Sequence, residues 1–179
     1  MERSERVLVI RAQQGRSDAF ARLMALHERP LLYYLGRYVG DLERARDVSQ
    51  EVWLTVWRSL PGLKEPASFR SWLYRIAHRR AALLFRLHKH DERTNEPQIE
   101  GEPVDFEPGR GLEIAELQRA IDRLPPLRRE VIVLHHIVEL PVEEIAAALG
   151  CPVGTVKSRL FHARAELKRM LHQETNDAR

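Results

Sequence analysis

The chain has 179 residues, enough for one ordinary domain or two small ones, and its 29 Lys and Arg against 26 Asp and Glu give a net charge of +3. With 31% charged and 44% apolar residues, the composition excludes a disordered polyelectrolyte and a membrane protein. The first ten residues contain two Glu and two Arg and so do not resemble a signal peptide. We therefore expect a cytoplasmic protein without membrane insertion. The single cysteine, Cys151, excludes an internal disulfide framework and a cysteine-based zinc site.

The charges segregate along the chain. Residues 66–90 hold six basic and no acidic side chains, 91–116 hold nine acidic against two basic, and 152–172 hold five basic against one Glu. The segment 89–111 is rich in Pro and Gly and lacks apolar periodicity, which predicts a flexible acidic linker. On either side apolar residues recur at three- and four-residue spacing without hairpin signals, so we predict an all-α protein with helical domains at 1–88 and 112–173.

Two helices are predicted in the N-terminal domain. Residues 47–60 form a helix with one apolar stripe, made by Val48, Val52, Val56 and Leu60. A long helix begins at Phe69, and its apolar stripe is predicted to contain Phe69, Trp72, Leu73, Ile76, Ala77, Leu83, Leu84 and Leu87, interrupted by Arg80. Its cations and its early aromatic residues suit single-stranded DNA, although Phe69 and Trp72 are individually better explained as core residues.

The helix over 47–60 has a second, mixed face. It is formed by Asp47, Gln50, Glu51, Leu54 and Arg58, about 100° or more from the apolar stripe. This composition fits a protein partner, and a solvated face is the alternative that periodicity leaves open.

The C-terminal domain carries a helix-turn-helix pattern. A short helix over 142–149 ends at Gly150, which suits a left-handed closing residue, and Pro152 stands in the first turn of a longer helix. The longer helix is predicted to bury Val156, Leu160, Ala163, Leu167 and Met170. Its other face presents donors and one aromatic ring, as a DNA-reading helix does, through Thr155, Lys157, Ser158, Phe161 and His162. An ordinary amphipathic helix with a cationic face is the alternative.

Taken together, the two domains resemble the extracytoplasmic-function (ECF) group of bacterial sigma factors, in the sigma-70 family. The resemblance is carried by DLERARDVSQEVWLTVWRSL and SFRSWLYRIAHRR, then by the linker, then by LPPLRREVIVLHHIVELPVEEIAAALGCPVGTVKSRLFHARAELKRML. It covers about 19–171, nearly the whole chain.

The resemblance implies a transcription initiation factor with sigma region 2 and region 4 domains and no catalytic residue, cofactor or metal. Its partners would be the RNA polymerase core, through the β′ and β subunits, promoter DNA and an anti-sigma factor. By motif position, the mixed face Asp47, Gln50, Glu51, Leu54 and Arg58 would bind core polymerase. The −10 element would meet Leu63, Lys64, Glu65, Arg75 and Arg79. The −35 element would meet Thr155, Lys157, Ser158, Phe161 and His162.

The residues alone leave two other functions open. A stand-alone helix-turn-helix regulator would act without core polymerase and would not need the mixed face. A hydrolase or metal enzyme could use only His88 with His90, or His135 with His136, and neither pair has a matched carboxylate or third ligand at metal spacing. The sequence also leaves open whether the two domains are docked or extended in the free chain, and a docked form would hide Lys157 and Arg79.

Overall fold

A computed structural model describes the backbone of residues 2–39, 42–91 and 112–177, and side chains within 4–39, 42–83 and 116–172. The described part is all helical, as predicted. Its α-helices are α1 (Glu2–Gln13), α2 (Ser17–Val39), α3 (Leu42–Ser59), α4 (Phe69–Asp91), α5 (Leu112–Asp122), α6 (Pro126–Ile132), α7 (Val142–Leu149) and α8 (Val153–Asp177). Two 3₁₀ turns, Leu60–Gly62 and Pro66–Ser68, join α3 to α4, and a π-helix, Val133–Ile137, extends α6.

Helices α1 to α4 form the N-terminal domain, in which α2 packs against α1, α3 and α4. The predicted stripe of α3 is confirmed, since Val48, Val52, Val56 and Leu60 are all buried. They meet side chains of α2 such as Leu23 in one apolar core. Burying apolar surface is the main favourable term in folding, so this stripe fixes which face of α3 remains in solvent.

Helices α5 to α8 form the C-terminal domain around the predicted helix-turn-helix. Gly150 closes α7 with φ +65°, in the left-handed region. The Pro152 carbonyl then accepts from the backbone amides of Thr155 (2.9 Å) and Val156 (3.3 Å), which starts α8. The predicted buried face of α8 is confirmed, with Met170 partly buried at its edge.

Three details differ from the sequence predictions. Leu83 was predicted to lie on the apolar stripe of α4, yet 51% of it is exposed, whereas Ala81 is fully buried. Helix α4 continues to Asp91, into the segment predicted as linker, and α8 continues to Asp177. The rest of the predicted linker, 92–111, lies outside the described residues.

The two domains pack directly on each other. Helix α7 lies against α4, and α6 lies against α2. This packing does not hide the two DNA-binding candidates, because Lys157 and Arg79 are both exposed. The packed surface involves other faces of the helices, among them the face of α4 that carries Tyr74 and His78.

Candidate nucleic-acid interface

The outer face of α8 is the most DNA-like surface of the C-terminal domain. Lys157, Ser158, Phe161 and His162 are all exposed and Thr155 is half-buried, so the structure brings the predicted reading residues together on one face. Phe161 is the extreme case, with 70% of its surface in solvent. A large ring in water is unfavourable unless something covers it, and in a major groove it can contact a thymine methyl group.

A shallow groove runs beside Phe161. It has a volume of about 490 Å³ and is lined by His135, Val142, Lys157, Leu160, Phe161, Arg164, Ala165 and Lys168. Three of these side chains are permanent cations, so the groove offers phosphate contacts around an apolar floor. Arg164 and Lys168 lie on α8, beyond the five predicted reading residues. His135 was missed because it comes from the π-helix, which sequence periodicity does not reveal.

Two histidines stand at the edge of this groove. The rings of His135 and His136 lie 4.8 Å apart, and Nδ1 of His135 is 3.1 Å from the Leu140 carbonyl. Arg164 donates to Nε2 of His136 at 3.3 Å. Burial, and then the charges of His135 and Arg164, lower the pKa of His136. A neutral His136 can therefore accept from Arg164 and hold that guanidinium beside the groove.

The loop before α4 carries the predicted −10 residues Leu63, Lys64 and Glu65. Lys64 and Glu65 are exposed, whereas Leu63 is half-buried against the core. The Glu65 side chain accepts from the Ala67 amide at 3.3 Å and caps the second 3₁₀ turn. Sequence reasoning missed Gln13 of α1, whose amide donates to the carbonyl of Leu63 at 2.7 Å. Gln13 therefore fixes the position of this loop relative to α1.

Helix α4 presents Arg75 and Arg79 to solvent one turn apart. The aromatic residues near its start do not join them, because Phe69 and Tyr74 are fully buried and Trp72 is half-buried. Stacking of DNA bases on Phe69 or Tyr74 is therefore ruled out in this conformation. Burial also raises the pKa of the Tyr74 hydroxyl, which keeps it neutral.

All five residues of the mixed face on α3 are exposed, and Leu54 leaves 55% of its surface in water. The opposite side of the helix is fixed by Glu28 of α2, which accepts hydrogen bonds from the Ser49 hydroxyl (3.0 Å) and from the Trp53 indole. Arg80, which interrupted the stripe of α4, reaches Glu51 at 3.5 Å. The arginine that interrupts the apolar stripe of α4 therefore forms an ion pair between α4 and the mixed face of α3.

The described side chains offer little support for an enzyme site. Within the described parts of the chain, no three His, Cys, Asp or Glu residues are grouped to hold a metal ion. His135 and His136 are engaged as described above, and the side chains of His88 and His90 lie outside the described residues. None of the helices searched is both long enough and apolar enough to cross a membrane.

The fold and the exposed face of α8 define a two-domain helical protein with a helix-turn-helix reader. Comparison with protein families matches 23–90 to "Sigma-70 region 2" and 114–167 to "Sigma-70, region 4". The chain is 36% identical to the ECF RNA polymerase sigma-E factor of Escherichia coli over 178 residues, covering 90% of this chain and 91% of the relative. It is 30% identical to the RNA polymerase sigma-H factor of Pseudomonas aeruginosa, covering 99% and 98%. The chain belongs to the ECF sigma factors of the sigma-70 family.

Solved structures agree with this assignment. CnrH, solved in complex with the cytosolic domain of CnrY, superposes with a TM-score of 0.70 at 29% identity, covering 95% of this chain and 98% of CnrH. The sigma factor RpoE of Bartonella quintana, solved with the anti-sigma factor NepR, superposes with a TM-score of 0.69 at 21% identity, covering 86% and 96%. The latter likeness supports the fold alone.

Proposed function

We propose that this chain binds RNA polymerase core and directs it to specific promoters. The observation that carries the proposal is the outer face of α8, where Lys157, Ser158 and the 70%-exposed Phe161 stand together on a helix-turn-helix. Lys157 and its neighbours would hold phosphates, while Ser158, Phe161 and His162 would contact base edges of the −35 element in the major groove. Base contacts of this kind select a sequence, and phosphate contacts set the register.

The N-terminal domain has the complementary role. Lys64 and Glu65, on the loop fixed by Gln13, would meet the −10 element, with Arg75 and Arg79 binding its phosphates. The mixed face of α3 would meet the polymerase core at its β′ subunit, and the C-terminal domain would reach the β subunit. Joining two weak DNA contacts in one chain raises the effective concentration of each.

The remaining assignments follow from that role. The chain has no catalytic activity of its own and works in the cytoplasm, where polymerase and DNA are found. The family implies an anti-sigma factor as a further partner, and the complex of CnrH with the cytosolic domain of CnrY supports a regulatory protein partner.

Run-off transcription tests this function. Purified bacterial core polymerase is mixed with this chain and a fragment library with varied −35 and −10 elements. We expect transcripts that depend on both the chain and the core, and the enriched fragments give the promoter preference. Binding of the library by the chain alone, with no core-dependent transcript, would instead establish the stand-alone regulator.

A further inference from the structure

Two adjacent histidines of the π-helix, His135 and His136, meet α8 from outside the helix-turn-helix. His135 lines the groove beside Phe161. Nε2 of His136 accepts from Arg164, whose Nε and one terminal nitrogen lie 3.4 and 3.3 Å away. His136 and Arg164 are 28 positions apart, so tertiary packing alone brings them together. The contact ties a side chain on the outer face of α8 to a separate element of the fold.

The backbone that presents these histidines is unusual. The amide of Val138 donates to the carbonyl of Val133 at 3.0 Å, five positions back, which is the wide hydrogen-bonding pattern of a π-helix. Glu139 follows with φ +61°, in the left-handed region that residues other than glycine rarely adopt. Both kinds of feature are concentrated at functional sites, so this segment is a candidate for a role of its own.

The same backbone orients the two rings. Leu140, directly after the left-handed Glu139, has its carbonyl 3.1 Å from Nδ1 of His135, and Nδ1 donates because a carbonyl oxygen can only accept. The His135 ring packs edge-on against His136, with centroids 4.8 Å apart. Burial, followed by the charges of His135 and Arg164, lowers the pKa of His136. His136 is therefore an oriented, neutral acceptor for Arg164.

Arg164 belongs to a row of cations along α8. Lys157, Arg164 and Lys168 are all exposed, and all three line the groove beside Phe161. We call these three side chains the cation row. At a rise of 1.5 Å per residue, Arg164 lies about 10.5 Å beyond Lys157 along the helix, a distance similar to the roughly 12 Å width of the major groove.

The position of Arg164 along α8 determines which part of DNA it can meet. In helix-turn-helix proteins, the N-terminal residues of the second helix contact base edges. Lys157 and Phe161 lie near the start of α8, whereas Arg164 lies further along, where such a helix leaves the groove and passes the phosphate backbone. A guanidinium that His136 already orders loses less side-chain entropy when it binds, and this strengthens binding.

We propose that His136 is a positioning residue for DNA binding, which holds Arg164 in place to bind a backbone phosphate beside the −35 element. The π-helix then affects how tightly the chain binds DNA without choosing the sequence. Phosphate contacts carry no direct base information, so strong and weak −35 sequences should be affected equally. The inference rests on the proposed function, because it takes the outer face of α8 to be the −35 surface.

Nitrogen-15 NMR of the arginine side chains tests the contact on the full free chain, without DNA. We expect the Arg164 Nε–H group to be protected from exchange with water, and His136→Leu should abolish this protection because leucine has no acceptor. His136→Gln supplies an acceptor oxygen at a similar reach and should preserve it. An Arg164 signal that does not respond to His136→Leu overturns the proposal. If circular dichroism shows that His136→Leu is unfolded, His136→Ala takes its place.

DNA titration tests the consequence. Complexes of core polymerase with each full-length variant are titrated, at several salt concentrations, with a promoter fragment enriched by run-off transcription and with a copy whose −35 element is weakened. Arg164→Ala should lower the slope of log affinity against log salt concentration by about 0.9. Arg123→Ala, with the same change of charge away from the outer face of α8, should leave the slope unchanged.

The double substitution isolates the positioning role. His136→Leu should weaken binding of both fragments roughly two- to tenfold, and it should have no effect in the Arg164→Ala background. His136→Gln should restore most of the affinity. A His136→Leu effect that persists without Arg164, or that is confined to one −35 sequence, overturns the proposal.

The two measurements separate this inference from the proposed function. Fragment binding that depends on core polymerase and on Lys157, but not on Arg164 or His136, would refute the inference and keep the function. Complexes that bind no fragment would refute the function and with it the DNA role of Arg164, even if NMR still shows the contact with His136.

Discussion

The side-chain amide of Gln13, near the end of α1, donates to the carbonyl of Leu63, 50 positions further along the chain, at 2.7 Å. The same amide also donates to the carbonyl of Leu60 at 3.1 Å. A side chain of α1 therefore holds the loop that precedes α4, in addition to the Glu65 cap and the packing of Leu63 against the core.

Replacing this glutamine should weaken promoter opening. Gln13→Ala removes both hydrogen bonds, together worth about 2 kcal/mol, so we expect roughly thirtyfold slower opening of the −10 element by the polymerase complex. A fluorescent base analogue within the element measures the rate. Gln14→Ala, at the exposed neighbouring position, is the matched control. An equal effect of the two substitutions would show that the loop does not depend on Gln13.

Lys157→Ala should affect promoter binding and leave core binding intact. Losing one phosphate contact lowers the slope of log affinity against log salt concentration by about 0.9. Titration of a promoter fragment at several salt concentrations gives this slope. Arg123→Ala has the same change of charge in the same domain, away from the outer face of α8, and should leave the slope unchanged. A similar decrease with Arg123→Ala would mean that only total charge matters.

Asp47→Ala combined with Glu51→Ala should produce the reverse pattern. Both carboxylates are exposed on the mixed face of α3, and Glu51 also contacts Arg80. We expect core affinity to fall about tenfold or more, while α8 still binds its DNA element, as measured by competition for core and by a mobility shift. Asp18→Ala with Glu143→Ala removes two exposed carboxylates elsewhere and serves as the control. Loss of both activities in the test variant would contradict the division of roles between domains.

Two glycines near the helix-turn-helix should respond oppositely to alanine. Gly150 has φ +65°, so Gly150→Ala should lower the free energy of unfolding by about 1 kcal/mol. Gly154 lies inside α8 with open space around its Cα, and Gly154→Ala should raise it by about 0.5–1 kcal/mol. Urea denaturation of both variants measures the two changes. A destabilised Gly154→Ala would refute the assigned backbone at the start of α8.

Stability should decrease below neutral pH because of His136. Its pKa is lowered in the folded chain, so the unfolded chain binds more protons as the pH falls through the usual value of 6.5, and the free energy of unfolding declines there. His136→Gln should flatten this part of the profile. Arg164→Gln should flatten it partly, because the Arg164 charge is one cause of the shift. An unchanged profile in His136→Gln would assign the pH dependence to other groups.

Local patterns allowed much of the fold to be predicted. The bounds of α7, the left-handed Gly150 and the buried stripes of α3 and α8 each follow from a few neighbouring residues. Helices α1 and α2 were not assigned individually, and the π-helix was missed because a widened turn leaves no distinct apolar period. Leu83 was misplaced because apolar spacing along a helix does not show which of its apolar residues meet the core.

The faces of single helices could be predicted from the sequence, whereas the contacts between helices could not. The outer face of α8 and the mixed face of α3 are exposed as the helical period requires. Gln13 below the loop, Arg80 beside Glu51 and Arg164 beside His136 are pairs of polar residues that meet only through tertiary packing. No spacing along the chain marks such a pair, so the sequence could not supply them.

The distance along the chain between interdomain partners bears on how the molecule is made. Tyr34 and Glu130 are 96 positions apart, and Arg70 and Val138 are 68 apart, whereas Arg129 contacts Leu124 only five positions away. Short loops close before long ones, and N-terminal domains leave the ribosome first. We therefore expect the N-terminal domain to fold during synthesis before the residues that contact Tyr34, Arg37, Arg70 and His78 have been made. During that interval the nascent chain would expose, on a folded domain, a surface that is buried in the full-length protein.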